Sequence, residues 1–113
     1  MREIKFQGKR VDNGWWVFGD LHHGPSTGSI YIKGIQVIPE TVGQYTGLKD
    51  RYGIEIYEGD ILECKFSSER FVVVFDAKTA QFTTKSNWLW SIVDRCEVIG
   101  NIHDNPELME GKK

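Results

Sequence analysis

No stretch of this sequence is long and apolar enough to cross a bilayer. The longest uninterrupted hydrophobic run is Phe71-Val72-Val73-Val74-Phe75, against the roughly 18 residues a membrane-spanning helix requires. The segment Met1-Arg2-Glu3-Ile4-Lys5-Phe6-Gln7-Gly8 alternates charged and apolar side chains, which leaves no hydrophobic core for an export signal. A cytoplasmic protein without a membrane partner is the expectation. Cysteine is scarce: Cys64 and Cys96 stand 32 positions apart, form no C-x-x-C pair and lie in strand-like segments. Such thiols behave as small apolar groups, so two reduced, buried cysteines are predicted. An excess of one charge is also missing. The 14 Lys and Arg against 16 Asp and Glu leave a net charge of −2, which argues against strong nonspecific binding to phosphate backbones. The P-loop, G-x-G-x-x-G and H-E-x-x-H patterns do not occur, so no cofactor is expected and the chain is read as nonenzymatic.

What the sequence does hold is glycine and aromatic residues. Twelve glycines, four Trp, four Tyr and six Phe in 113 residues punctuate short runs rich in Val, Ile and aromatics, the rhythm of antiparallel strands. Long helices have no room. Ile4 and Phe6 open an alternation that Val11 resumes, and Asn13-Gly14 predicts a two-residue turn before Trp15-Trp16-Val17-Phe18. Gly24 to Ser29 reads as a loop, Ile30 to Ile32 as a strand, and Ile35 to Ile38 as its partner, stopped by Pro39. Val42 to Gly47 reads as a strand and Leu48 to Gly53 as a polar turn.

The second half begins with the tight turn Glu58-Gly59-Asp60, feeding a strand in which Leu62, Cys64 and Phe66 share a face. Arg70 to Asp76 predicts one strand covered on both faces, with Gln81 to Thr84 returning beside it. Trp88-Leu89-Trp90 and Cys96 to Ile102 supply the last strands, and Asn105-Pro106-Glu107-Leu108-Met109 predicts a short helix with Asn105 as N-cap. Short antiparallel strands must twist and cover their edges. The expected fold is therefore mostly β, built of small antiparallel barrel-like sheets. Residues 1–52 form an N-terminal β subdomain, and residues 53–113 an SH3-like barrel with a short C-terminal helix.

Several segments in this order resemble a known family. They are Ile4-Lys5-Phe6-Gln7-Gly8-Lys9-Arg10, Trp15-Trp16-Val17-Phe18-Gly19-Asp20-Leu21, the run from Val37 to Asp50, Glu55 to Ile61, and Val98 to Leu108. Together they are similar to the YopX family of phage and prophage proteins, over nearly the whole chain. The resemblance implies a small, mostly β phage or prophage protein in the host cytoplasm, and it transfers no catalytic residue, because the family has none assigned.

Three constellations bear on function. Arg2, Lys5, Lys9 and Arg10 face only Glu3 within the first ten residues, a local excess of +3. With Trp15, Tyr31 and Trp88 they form the candidate interaction surface. Aromatic and loop surfaces of this kind favour docking on another protein or on a second copy of the chain. The alternative is nucleic-acid binding, in which the basic strip tracks the backbone and Tyr31, Trp15 or Trp88 stack on bases. Asp20, His22 and His103 carry the ligand types of a metal-dependent hydrolase, the second alternative. The usual further ligands are missing at any diagnostic spacing, and His22 and His23 point to opposite faces of a strand. Glu55, Glu58, Asp60 and Glu63 could pair for acid-base work, but Gly59 and Asp60 read as a structural turn in which the carboxylate accepts backbone amides.

Overall fold

The computed structural model describes residues 4–25, 28–65, 69–84, 89 and 92–109. Short strands dominate, and the chain separates into two compact units, Met1–Tyr45 and Thr46–Lys113. The division falls inside a strand, where the sequence reading places it after Tyr52.

In the first unit, β1 (Phe6–Lys9) pairs antiparallel with β2 (Trp16–Gly19), in the register Phe6 with Gly19, Gln7 with Phe18, Gly8 with Val17 and Lys9 with Trp16. The loop between them is longer than Asn13-Gly14 alone implies. A two-residue I′ turn needs positive φ at both central residues, and here only Gly14 (φ 76°) has it, not Asn13. The Arg10 amide instead donates to the Trp15 carbonyl at 2.8 Å and the Gly14 amide to the Arg10 carbonyl at 3.0 Å, so Val11 to Gly14 make a four-residue loop. The register moves by two positions, which keeps every side chain on its expected face but sets Lys9 opposite Trp16 rather than Phe18.

The second sheet of this unit is a meander of β3 (Leu21–His23), β4 (Ile30–Ile32) and β5 (Ile35–Val37). The last hairpin closes on Lys33 (φ 55°) and Gly34 (φ 78°), a two-residue turn with both φ positive. Ile32 and Val37 are wholly buried. A 3₁₀ turn at Pro39–Thr41 follows, and the Thr41 hydroxyl accepts from the Lys9 amide at 2.9 Å while donating to the Ile38 carbonyl at 2.6 Å. Strand β6 (Gly43–Lys49) starts in this unit, where Gly43 and Gln44 pair with Gln7 and Phe6.

In the second unit β6 continues beside β7 (Glu55–Tyr57). The centre is β8 (Asp60–Cys64), flanked by β9 (Arg70–Val72) on one side and β12 (Cys96–Asn101) on the other, with a bulge in β12 between Val98 and Gly100. The two-stranded hairpin of β10 (Val74–Asp76) and β11 (Gln81–Thr83) completes it. Both faces of β8 are lined: Ile61 and Leu62 are each wholly buried. Leu62 packs in a core of Ile56, Val73, Leu89, Ile92 and Cys96.

Four expectations need correction. No sheet closes into a barrel among the described residues, where strands of three to seven residues form open sheets of two to four strands. The strand expected over Arg70 to Asp76 breaks at Val73, whose amide donates to the Asp60 carbonyl and whose carbonyl accepts from the Gly59 amide. Past that break Phe75 is exposed, so the run is not covered on both faces. Leu89 lies not in a strand but in a 3₁₀ turn, its carbonyl accepting from the Ile92 amide at 3.1 Å. The expected C-terminal helix is a single 3₁₀ turn, Pro106–Leu108. Asn105 does not cap it; its side-chain oxygen accepts from the Asn101 amide at 3.3 Å, and the Leu108 carbonyl accepts from the Arg70 guanidinium at 2.9 Å. Phe66, Trp88 and Trp90 lie outside the described residues, and so does their part in the expected strands.

Candidate functional site

The first unit gathers most of the residues singled out in the sequence, and strand alternation explains which of them meet. Gln7 and Lys9 point to one face of β1, and the register puts Phe18 and Trp16 opposite them on β2. The Tyr45 amide donates to the Lys5 carbonyl at 2.8 Å, which brings Tyr45 opposite Lys5. The Lys5 ammonium then lies 5.2 Å from the centre of the Tyr45 ring and the Lys9 ammonium 5.9 Å from that of Trp16. Both distances allow a cation to be drawn to the ring face.

Arg10 is engaged differently. Its Nε and Nη2 donate to Asp12 Oδ1 and Oδ2 at 2.9 and 2.8 Å, a bidentate pair. That hydrogen bond holds the Asp12 carboxyl below its ordinary pKa and raises that of Arg10, so the pair carries no net charge at neutral pH. Asp12 thus cancels one of the cations that the first ten residues advertise. Arg2 lies outside the described residues.

Trp15 sits at the hairpin loop with 71% of its surface exposed, its amide donating to the Asn13 side-chain oxygen at 2.9 Å. Phe18, on β2, is 45% exposed. Tyr31 belongs to the other sheet, in the rung His22–Tyr31–Gln36. Trp88 lies outside the described residues. Sequence reasoning missed Phe18 and Trp16 as members of this surface, and missed that Lys5 reaches the ring of the buried Tyr45. The alternation of β1 was visible, and a correct loop length would have placed Trp16 opposite Lys9.

The Glu58-Gly59-Asp60 turn lies in the second unit. Gly59 takes φ 97°, a conformation that side chains other than glycine's rarely adopt. Its amide donates to the Val73 carbonyl and its carbonyl accepts from the Ile102 amide. Asp60 is 6% exposed, and its Oδ2 accepts from the Tyr57 amide at 2.8 Å. A second carboxylate of the same kind escaped sequence reasoning. Asp50, also 6% exposed, accepts through Oδ1 from the Tyr52 and Ile54 amides at 2.8 and 2.9 Å and through Oδ2 from the Val98 amide at 2.9 Å.

Asp20 and His22 belong to the first unit and His103 to the second, and among the described residues no three His, Cys, Asp or Glu side chains gather into a group that could hold a metal ion. The run Gly24-Pro25-Ser26-Thr27-Gly28 spells G-x-S-x-G, the pattern of a hydrolase nucleophile. That chemistry needs a sharp strand-to-helix turn, whereas this run connects the antiparallel strands β3 and β4; Ser26 and Thr27 lie outside the described residues. No helix of the described residues is long and apolar enough to cross a membrane.

The fold defines a class: a mostly β protein whose described residues form several small, open antiparallel sheets. The family model described as YopX protein matches residues 1–110, and the chain belongs to that family. Among solved structures it is similar to protein EF1440 from Enterococcus faecalis, with a TM-score of 0.63 and 24% identity, covering 97% of this chain and 100% of that one. At that identity the likeness is one of fold. No curated protein matches the sequence.

Proposed function

We propose that this chain is a nonenzymatic accessory protein of a phage or prophage that acts in the host cytoplasm by docking on a protein partner. The observation that carries the reading is the exposure of two large rings on the β1–β2 hairpin, Trp15 at its loop and Phe18 on the other face of the strand. A large, rigid ring held out in water is costly to leave there, and aromatic residues of this type anchor protein interfaces. The buried carboxylates at Asp50 and Asp60 support the nonenzymatic part, because both Asp50 oxygens and Asp60 Oδ2 accept from backbone amides. Capture with the intact chain as bait from induced host cells should recover a partner that a Trp15→Ala, Phe18→Ala double variant loses by about tenfold or more, the scale of two interface anchors. Retention of that partner by the double variant would sink the reading. Light scattering of the purified chain separates a second copy from a different protein as the occupant.

The alternative, nucleic-acid binding, draws on Lys9 over the part-exposed Trp16 with Lys5 on the same strand side of the unit, since cations beside an open ring suit a single strand. Against it stand the net charge of −2 and the pairing of Arg10 with Asp12. A labelled single-stranded DNA or RNA at low salt is expected to show no mobility shift. A shift that fades steeply as salt rises and disappears in a Lys5→Gln, Lys9→Gln variant would establish this alternative instead.

A further inference from the structure

Cys64 on β8 and Cys96 on β12 face each other directly across the sheet, with their sulfurs 2.9 Å apart. The ladder bonds around them show what kind of pair this is. The Lys65 amide donates to the Arg95 carbonyl one position along, while the Cys64 amide donates away from β12 to Glu69 and the Cys96 carbonyl accepts from Arg51. Cys64 and Cys96 therefore occupy a non-hydrogen-bonded position, where opposed Cα atoms lie about 4.5 Å apart and side chains are closest. That separation is inside the range a disulfide spans, about 4.4–6.8 Å.

The two thiols differ in access. Cys96 is wholly buried in the core of the second unit, whereas Cys64 is half-buried and lines a surface cavity of about 180 Å³ together with Arg51, Glu63, Lys65 and Glu97. Glu63 is engaged by Arg70 at 3.1 Å. Arg51 and Lys65 at the rim are cations that the carboxylates of an approaching peptide-like molecule can meet.

We propose that Cys64 and Cys96 are a reversible dithiol–disulfide site whose oxidant is a small glutathione-type disulfide, with Cys64 as the attacking thiol and Cys96 as the resolving one. Cys64 gives its proton to solvent and its sulfur attacks one sulfur of the small disulfide. That S–S bond breaks, and one small thiolate leaves and takes up a proton. The Cys96 sulfur then attacks the Cys64 sulfur of the mixed disulfide, and the second small thiol departs with the Cys96 proton. Two protein thiols are oxidised to one disulfide while one small disulfide is reduced to two thiols. The order of attack follows from burial. Desolvation, and then the hydrogen bond with Cys64, push the Cys96 thiol up to about 12, so it is protonated at neutral pH and reacts only once a sulfur electrophile is held against it.

The test incubates the full chain with oxidised glutathione at mildly alkaline pH, quenches in acid, alkylates under denaturing conditions and reads the intact mass. The expected product is a monomer lighter by about 2 Da in which neither thiol alkylates, restored by excess reduced glutathione. Early time points should carry one glutathione, mapped to Cys64 by peptide analysis of the unsubstituted chain. The Cys96→Ser variant should stop at that adduct, and in Cys64→Ser the remaining thiol should react about tenfold more slowly or less. Two alkylatable thiols after the incubation, a disulfide-linked dimer in place of the 2 Da loss, or a first adduct on Cys96 would each overturn the proposal. The time course needs no substitution, so it decides the matter even where a variant fails to fold.

Discussion

Asp50→Ala is expected to lower the unfolding free energy by about 3 kcal/mol, among the largest effects available to a single polar side chain here. The carboxylate satisfies three amides at once, those of Tyr52, Ile54 and Val98, and it is nearly inaccessible to water. Removing it strands those donors, and each buried donor left without a partner costs roughly 1–3 kcal/mol before the loop relaxes and water enters. Asp50→Asn is not a mild change. Both oxygens accept, so whichever one becomes an amide nitrogen points a donor at a donor. A loss of about 2 kcal/mol is expected for it. Urea unfolding followed by circular dichroism reads both numbers, as a fall in midpoint with unchanged slope. A shift of less than about 0.5 kcal/mol for Asp50→Ala, the level of an ordinary surface substitution, would contradict the arrangement.

Leu62→Ala should cost as much or more, about 3–4 kcal/mol. Leu62 is wholly buried on β8 and packs with Ile56, Val73, Leu89, Ile92 and Cys96. It is held in register from both sides, opposite Val98 on β12 and Phe71 on β9. A strand fixed by two ladders collapses poorly into a cavity, so the lost contacts are not recovered. Leu62→Met keeps nearly the same volume and should cost under about 1.5 kcal/mol, which separates cavity formation from mere replacement. For a domain whose whole stability is about 5–15 kcal/mol that is a large share of the total, and a thermal melt should show the midpoint fall by more than about 10 °C.

Local features of the fold could be read from the residues alone. The hairpin of Ile30 to Ile32 with Ile35 to Val37, and that of Val74 to Asp76 with Gln81 to Thr83, are announced by β-branched and aromatic runs around short polar connections. The family resemblance also covers the chain that the family model matches. What escaped reading depends on partners distant in sequence. Val73 breaks a strand because Asp60 and Gly59 claim its backbone, and nothing in Phe71 to Phe75 reports that. Asp50 looks like any turn aspartate, since its third donor, Val98, is 48 positions away. The Pro106 turn fails to grow into a helix because Asn105 turns back to Asn101 and Arg70 takes the Leu108 carbonyl. At the candidate surface, Trp15 was legible from its place beside Asn13-Gly14, whereas the cation–ring pairs required the true loop length.

The pairing order also bears on how the chain is made. The pairings of β1 with β2 and with the start of β6, and those among β3, β4 and β5, lie between Phe6 and Gln44, so they can form once that stretch clears the ribosome. Strand β8 must wait for β12, and Asp50 for Val98. Because loop closure precedes its reward in such distant pairings, nascent chains halted before Val98 should resist protease over the first unit and be cut readily in the second.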